Sequence, residues 1–178
     1  MPRSAAAAPP PTAYQRALRR LARRDHSVAD LRRALVDRGH PEEEVEATLE
    51  RLRRERYLDD RGFAERFARS RLAHAAIGRS RIRQGLRQRG VEREDSEAGI
   101  AAALTEVDEG KVLERLARRY WRHHVRVEPE RRLPRLWAFL LRRGFAPGLV
   151  RERLSALWPR RADAVSGLEP LEAGDDPS

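Results

Sequence analysis

Residues 27–40 read Ser-Val-Ala-Asp-Leu-Arg-Arg-Ala-Leu-Val-Asp-Arg-Gly-His. Ser27 with Asp30 three residues on is a capping-box-like helix start. Val28, Leu31 and Leu35 follow at i, i+3 and i+7, the spacing of one buried helical face. Gly39 supplies the left-handed residue that ends the helix. Pro41 then suits the first turn of a new helix, and Glu42, Glu43 and Glu44 favour its positive N-terminal end. Val45, Leu49 and Leu52 form that helix's apolar stripe.

The pattern recurs. Gly39, Gly90 and Gly144 lie 51 and 54 residues apart. Four residues before them come Leu35, Leu86 and Leu140; eight before come Leu31, Ile82 and Leu136. Arg38, Arg89 and Arg143 directly precede the glycines, and Leu49, Ile100 and Leu154 lie ten residues after them. Agreement at a period of this length marks internal repetition. A further helix precedes each unit, over 14–24, 63–75 and 112–124. The expected architecture is all-α: an elongated, curved array of three tandem three-helix, helix-turn-helix-like repeats over 13–56, 57–106 and 107–158. Residues 1–12, rich in Ala and Pro, and the acidic stretch 159–178 lack helical periodicity and read as disordered tails.

Composition agrees with a thin, distributed core. Leu, Ile, Val and Phe make up 38 of 178 residues, close to the ~20% level below which a highly charged chain tends to be disordered. β-Branched residues are scarce, which argues against extensive sheet. Cysteine is absent, so disulfides, thiolate metal sites and a cysteine nucleophile are ruled out. No apolar run approaches the ~20 residues of a membrane span, and the first eleven residues lack a signal-peptide core. A cytoplasmic location with no membrane contact is the expectation.

The net charge is +10, and 37 of the 38 basic residues are Arg, Lys111 being the one lysine. Attraction to phosphates or to acidic protein surfaces follows. The imbalance is local: nine Arg against Glu65 alone over 61–91, and seven acids against one Arg over 92–110. Arg79, Arg83 and Arg87 share one helical face away from Ile82 and Leu86. Like charges at i, i+4 repel, and a phosphate-rich partner would relieve the repulsion. Arg81 and Arg89 belong to the same segment. Arg32 and Arg33 in the first unit and Arg115, Arg118, Arg119 and Arg122 in the third extend the candidate binding set. Tyr120 and Trp121 are read as packing residues rather than base-stacking groups.

The stretch Tyr57-Leu58-Asp59-Asp60-Arg61-Gly62-Phe63-Ala64-Glu65-Arg66-Phe67, with Ser70 and Arg71 behind it, resembles the signature of the RecX family. So does the run from Gly78 to Val91, in which Gly78, Ile82, Leu86, Gly90 and Val91 carry the likeness. The third unit, Leu136 to Phe145 with its Arg142-Arg143-Gly144-Phe145 ending, is similar to that family's last repeat. The resemblance covers roughly 14–158. It implies a non-enzymatic regulator that binds the filament of RecA recombinase on single-stranded DNA. It further implies restraint of the filament's ATPase, strand-exchange and co-protease activities. Two positions depart from the family pattern. Gly85 sits mid-helix, at a cost of about 1 kcal/mol relative to Ala. Ser96 stands six residues after Gly90, where the other units have Val45 and Val150, which predicts a weak or shifted helix.

Other chemistries fit poorly. Asp59 and Asp60 are adjacent turn residues without a third ligand at metal spacing; one is expected to cap the following helix and the other to face solvent. His26, His40, His74, His123 and His124 form no ligand motif, and no nucleophile elbow or Gly-rich nucleotide loop occurs. No catalytic residue, cofactor or metal is expected, and a monomer is. The rival reading is a stand-alone, non-sequence-specific nucleic-acid-binding protein of helix-turn-helix-like modules.

Tyr57, Leu58, Phe63 and Phe67 are expected to pin the joint between the first two units. Phe63→Ala should therefore cost about 3–5 kcal/mol in urea or thermal unfolding; an unchanged melting curve would remove Phe63 from the core.

Overall fold

The computed structural model describes residues 10–168. Nine longer helices run in chain order: α1 Ala13–Leu21, α2 Val28–Val36, α3 Glu42–Arg54, α4 Asp60–Ala73, α5 Arg79–Gln88, α6 Arg93–Glu106, α7 Glu109–His123, α8 Pro129–Arg142 and α9 Pro147–Leu157. A 3-10 turn, Pro159–Arg161, and a short α10, Ala162–Ser166, follow. Among the described residues there is no strand, and no helix is long and apolar enough to cross a membrane.

The helices group in threes because each trio closes its own apolar cluster. Leu31, Leu35, Val45, Leu49, Leu52 and Leu58 form the first. Phe63, Leu72, Ile82, Leu86, Val91 and Ile100 form the second. Leu113, Leu136, Trp137, Leu140, Phe145 and Leu154 lead the third. A small stock of leucines thus makes three modest cores instead of one large one.

The units are joined through their second helices, which meet end to end. At the C-terminus of α8, the Arg143 carbonyl accepts the Gly78 N–H at 2.9 Å and the Gly144 carbonyl accepts the Ser80 N–H at 3.1 Å. At the C-terminus of α5, the Arg89 carbonyl accepts the Ser27 hydroxyl at 2.6 Å. Carbonyls left over at one helix end therefore meet donors left over at the start of the next, and the helix dipoles run head to tail. Gly39, Gly90 and Gly144 all have positive φ, at 81°, 70° and 87°. Gly144 has a second constraint: a Cβ there would lie 2.6 Å from the Arg81 backbone nitrogen.

Acids at the first helical position of the following unit complete each joint. Asp60 accepts the Val28 N–H at 2.9 Å, and Glu109 accepts the Arg79 N–H at 2.9 Å. The expectation of a solvent-facing partner to the capping residue is corrected here. Asp59 does cap α4, accepting from the Arg61 N–H at 3.1 Å. Asp60 is half-buried and caps α2 of the previous unit instead. Burial pushes its carboxyl above the ordinary range, against the pull of the Val28 hydrogen bond.

Other expectations change too. Tyr57 does not pin a joint; it is 58% exposed. Arg56 ends α3 with φ at 61°, and that left-handed turn swings Tyr57 outward while Leu58 drops into the first core. Ser96 neither shortens nor interrupts α6: it is buried, and Gly99 lets α6 sit directly on α4, where a Cβ would lie 2.6 Å from that of Ala64. Gly85 also has a purpose, since a Cβ there would be 3.1 Å from the Phe67 ring.

The stretches read as tails are partly ordered. Thr12 caps α1 in a capping box with Gln15. At the other end α10 buries Val165 completely against the third core. A five-residue helix with one buried side chain has no periodicity to read. Residues 1–9 and 169–178 of the expected tails lie outside the described residues.

Glu109 is 4% exposed and holds both the Arg79 amide and its guanidinium, at 2.8 Å. Glu109→Ala should lower stability by about 1.5–3 kcal/mol, the range for hydrogen bonds to charged groups, with Glu109→Gln recovering part of the loss in thermal unfolding.

Candidate nucleic-acid interface

The arginines sort into paired and unpaired sets, and the sorting differs from their sequence spacing. Arg79 is bound to Glu109. Arg83 is held by Glu97 through two contacts, one of them 2.9 Å between Nη2 and Oε2. The repulsion expected along Arg79, Arg83 and Arg87 is thus largely relieved inside the chain. Arg89 donates to the Gly85 carbonyl at 2.9 Å, stacks 4.8 Å from the Phe67 ring and lies 3.9 Å from Asp30. Arg66 pairs with Asp25 at 2.6 Å, and Arg69 with Glu106 at 2.7 Å. The positive surplus over 61–91 is therefore mostly neutralised by acids from elsewhere in the fold.

Of the α5 candidates, Arg81 and Arg87 remain exposed without an ion pair among the described residues. They face different grooves. Arg87 shares one of about 590 Å³ with Arg83, Arg93 and Glu97, between α5 and α6. Arg81 shares one of about 430 Å³ with Arg71, Arg89, Gln84 and Gln88, beside Phe67. In the first unit Arg32 is taken up by Glu42 and Glu46, both at 2.7 Å, and Arg33 by Asp30. On α7, Arg115, Arg118, Arg119 and Arg122 are exposed and unpaired among the described residues. Tyr120 and Trp121 pack as expected: Tyr120 stacks on His124 at 3.9 Å and faces Phe139 at 4.9 Å, and Trp121 meets Trp158 at 4.7 Å.

One cluster escaped the sequence reading. Arg16, Arg19, Arg20 and Arg23 of α1 and its C-terminal flank converge with Arg38 on a groove of about 200 Å³ over Ala34 and Leu35. Their i, i+3/i+4, i+7 spacing was the available signal. Among the described residues no group of three or more His, Asp and Glu could hold a metal ion.

This arrangement can bind polyanions through fixed guanidinium forks. Family models place it further. RecX first, second and third three-helix domains match residues 13–52, 59–100 and 108–154. The chain belongs to the RecX family. The regulatory protein RecX of Trichlorobacter lovleyi is 35% identical over 144 residues, spanning 80% of this chain and 94% of that one. That of Halorhodospira halophila is 39% identical over 141 residues, spanning 79% and 84%. A crystal structure of RecX from Lactobacillus salivarius superposes with a TM-score of 0.72 at 17% identity, covering 82% of this chain and 94% of that one, which speaks to fold alone. A second crystal structure, of a regulatory protein RecX, gives 0.71 at 27% identity, covering 80% and 71%.

The α5–α6 ion pair sets a pH dependence. Its hydrogen bond to Arg83 holds the Glu97 carboxyl below the ordinary 4.5. The unfolded chain therefore binds that proton more readily, and the pair's contribution is present above pH 4.5 and lost as pH falls through the lowered folded value. Both side chains are 43% exposed, so the effect is modest. The stability difference between the wild type and Glu97→Gln should hold at pH 7 and shrink as the pH is taken down below 4.5 in parallel urea titrations.

Proposed function

We propose that this RecX-family chain is a regulator that binds the RecA–single-stranded-DNA filament. It would inhibit the filament's ATPase, strand exchange and co-protease action during recombination and the DNA-damage response. The observation that carries the reading is the complete set of three RecX domains, joined so that α2, α5 and α8 follow one another in a line. A row of this kind can span more than one subunit of a polymeric partner, and docking there would hinder the subunit rearrangement that accompanies ATP turnover.

On this reading the protein acts as a ligand and not as an enzyme, and it works as a cytoplasmic monomer. Binding falls to the exposed arginines Arg81, Arg87, Arg118, Arg119 and Arg122. Arg32, Arg33, Arg79, Arg83 and Arg89 shape the surface through their internal partners. Arg83 and Arg89 still line the two α5 grooves and can add a second contact there.

The test is RecA ATPase on excess single-stranded DNA with this protein titrated from far below the recombinase concentration. Inhibition at substoichiometric ratios is expected, because simple masking of DNA has no effect at that ratio. Inhibition only when the protein saturates the DNA would favour the stand-alone nucleic-acid-binding alternative.

A further inference from the structure

We propose that the α1–α2 groove of the first unit is a recombinase-independent binding site for a nucleic-acid phosphodiester backbone, separate from the α5 and α7 arginines. This deepens the nucleic-acid part of the reading above and rests on it.

Residues 14–40 carry eight arginines and three acids, Asp25, Asp30 and Asp37. Asp25 is turned to Arg66 of the second unit. Asp30 is shared between Arg33 and Arg89, the latter again in the second unit. Two of the three acids are thus drawn to the joint, and Asp37 lines only the second groove. Arg16, Arg19, Arg20, Arg23 and Arg38 have no carboxylate within ion-pair distance among the described residues, while Arg32, Arg33 and Arg51 of the same unit all do. The Nε atoms of Arg16 and Arg20 are shielded from solvent and have no hydrogen-bond partner. No group among the described residues answers either donor, so the two guanidinium groups stand to gain from an acceptor supplied from outside.

The shape indicates which acceptor. A second groove of about 330 Å³ shares Arg20, Ala34 and Arg38 with the first and continues past Arg24 and Arg33. Two connected grooves make a track, which suits a chain of phosphates better than one isolated anion. Asp30 and Asp37 line only the second groove. The floor of the first is Ala34 and Leu35, with no aromatic side chain on which a base could stack, so recognition is of the backbone and blind to sequence. His26 lines the second groove and senses the same field: its imidazole pKa is lowered, first by burial and then by Arg24 and Arg20.

The experiment uses the full chain without recombinase. Wild type and R19E/R23E/R38E are titrated onto a labelled oligo-dT of about 20 nucleotides across a NaCl series, with fluorescence anisotropy as readout. Three lost phosphate contacts at about 0.7 each should flatten the slope of log K against log salt by about 2, with affinity at low salt falling more than tenfold. R19Q/R23Q/R38Q, which removes charge without adding repulsion, should give the same change of slope. Unchanged slope and affinity in both variants, with helical circular dichroism intact, overturns the proposal. Inorganic polyphosphate should displace the oligonucleotide from the wild type; displacement by poly-glutamate at equal charge would also overturn it, because the site would then be one for carboxylates. ATPase inhibition measured on the same proteins keeps the two readings apart. Failure of wild-type inhibition removes the regulator and leaves the groove, whereas an unchanged salt slope removes the groove and leaves the regulator.

Discussion

The end-to-end meeting of α8, α5 and α2 is the constraint on which the rest of this molecule depends. A helix end that is buried must have its free carbonyls or amides answered. Here the answer comes from the next helix in the row, through Gly78, Ser80 and Ser27. Backbones can approach so closely only where side chains are absent or small. Gly90 and Gly144 therefore serve twice, as left-handed terminators and as contact surfaces against Ala29 and Arg81. The acids Asp60 and Glu109 complete the geometry from the side.

That constraint also governs the electrostatics. Each joint draws carboxylates toward itself: Asp25 and Asp30 from the first unit, Asp60 from the second, Glu109 from the third. The basic stretch 61–91 has five of its nine arginines paired with carboxylates. Free arginines remain on α1 beside Arg38, on α7, and at Arg81 and Arg87 of α5. Where the chain is basic and where its surface is basic are consequently different questions.

The architecture was legible because its signals are local. Three left-handed glycines with leucines four residues before them need no knowledge of tertiary structure, and the quoted motifs place the family. The site was legible only in part. Arg79, Arg83 and Arg87 do lie on one helix without an acid, but Glu97 and Glu109 reach them from 14 and 30 residues away, beyond any helical spacing rule. The same distance hid the role of Asp60, whose partner Val28 is 32 residues upstream. Tyr57 was misplaced because a single positive φ at Arg56 decides which of two adjacent apolar residues turns inward. Arg16 and Arg20 were passed over because an arginine pattern on a short amphipathic helix looks like a solvated face until the fate of Asp25 and Asp30 is known.

The direction in which the acids reach has a consequence for how the chain is made. Asp60 belongs to the second unit yet caps a helix of the first, and Glu109 belongs to the third yet caps a helix of the second. A chain emerging N-terminus first leaves the leading amides of α2 and α5 to water until the following unit has been made. The first two units are each finished by their successor, and α10 adds Val165 to the third core. Synthesis thus makes the two caps available in order, that of α2 before that of α5.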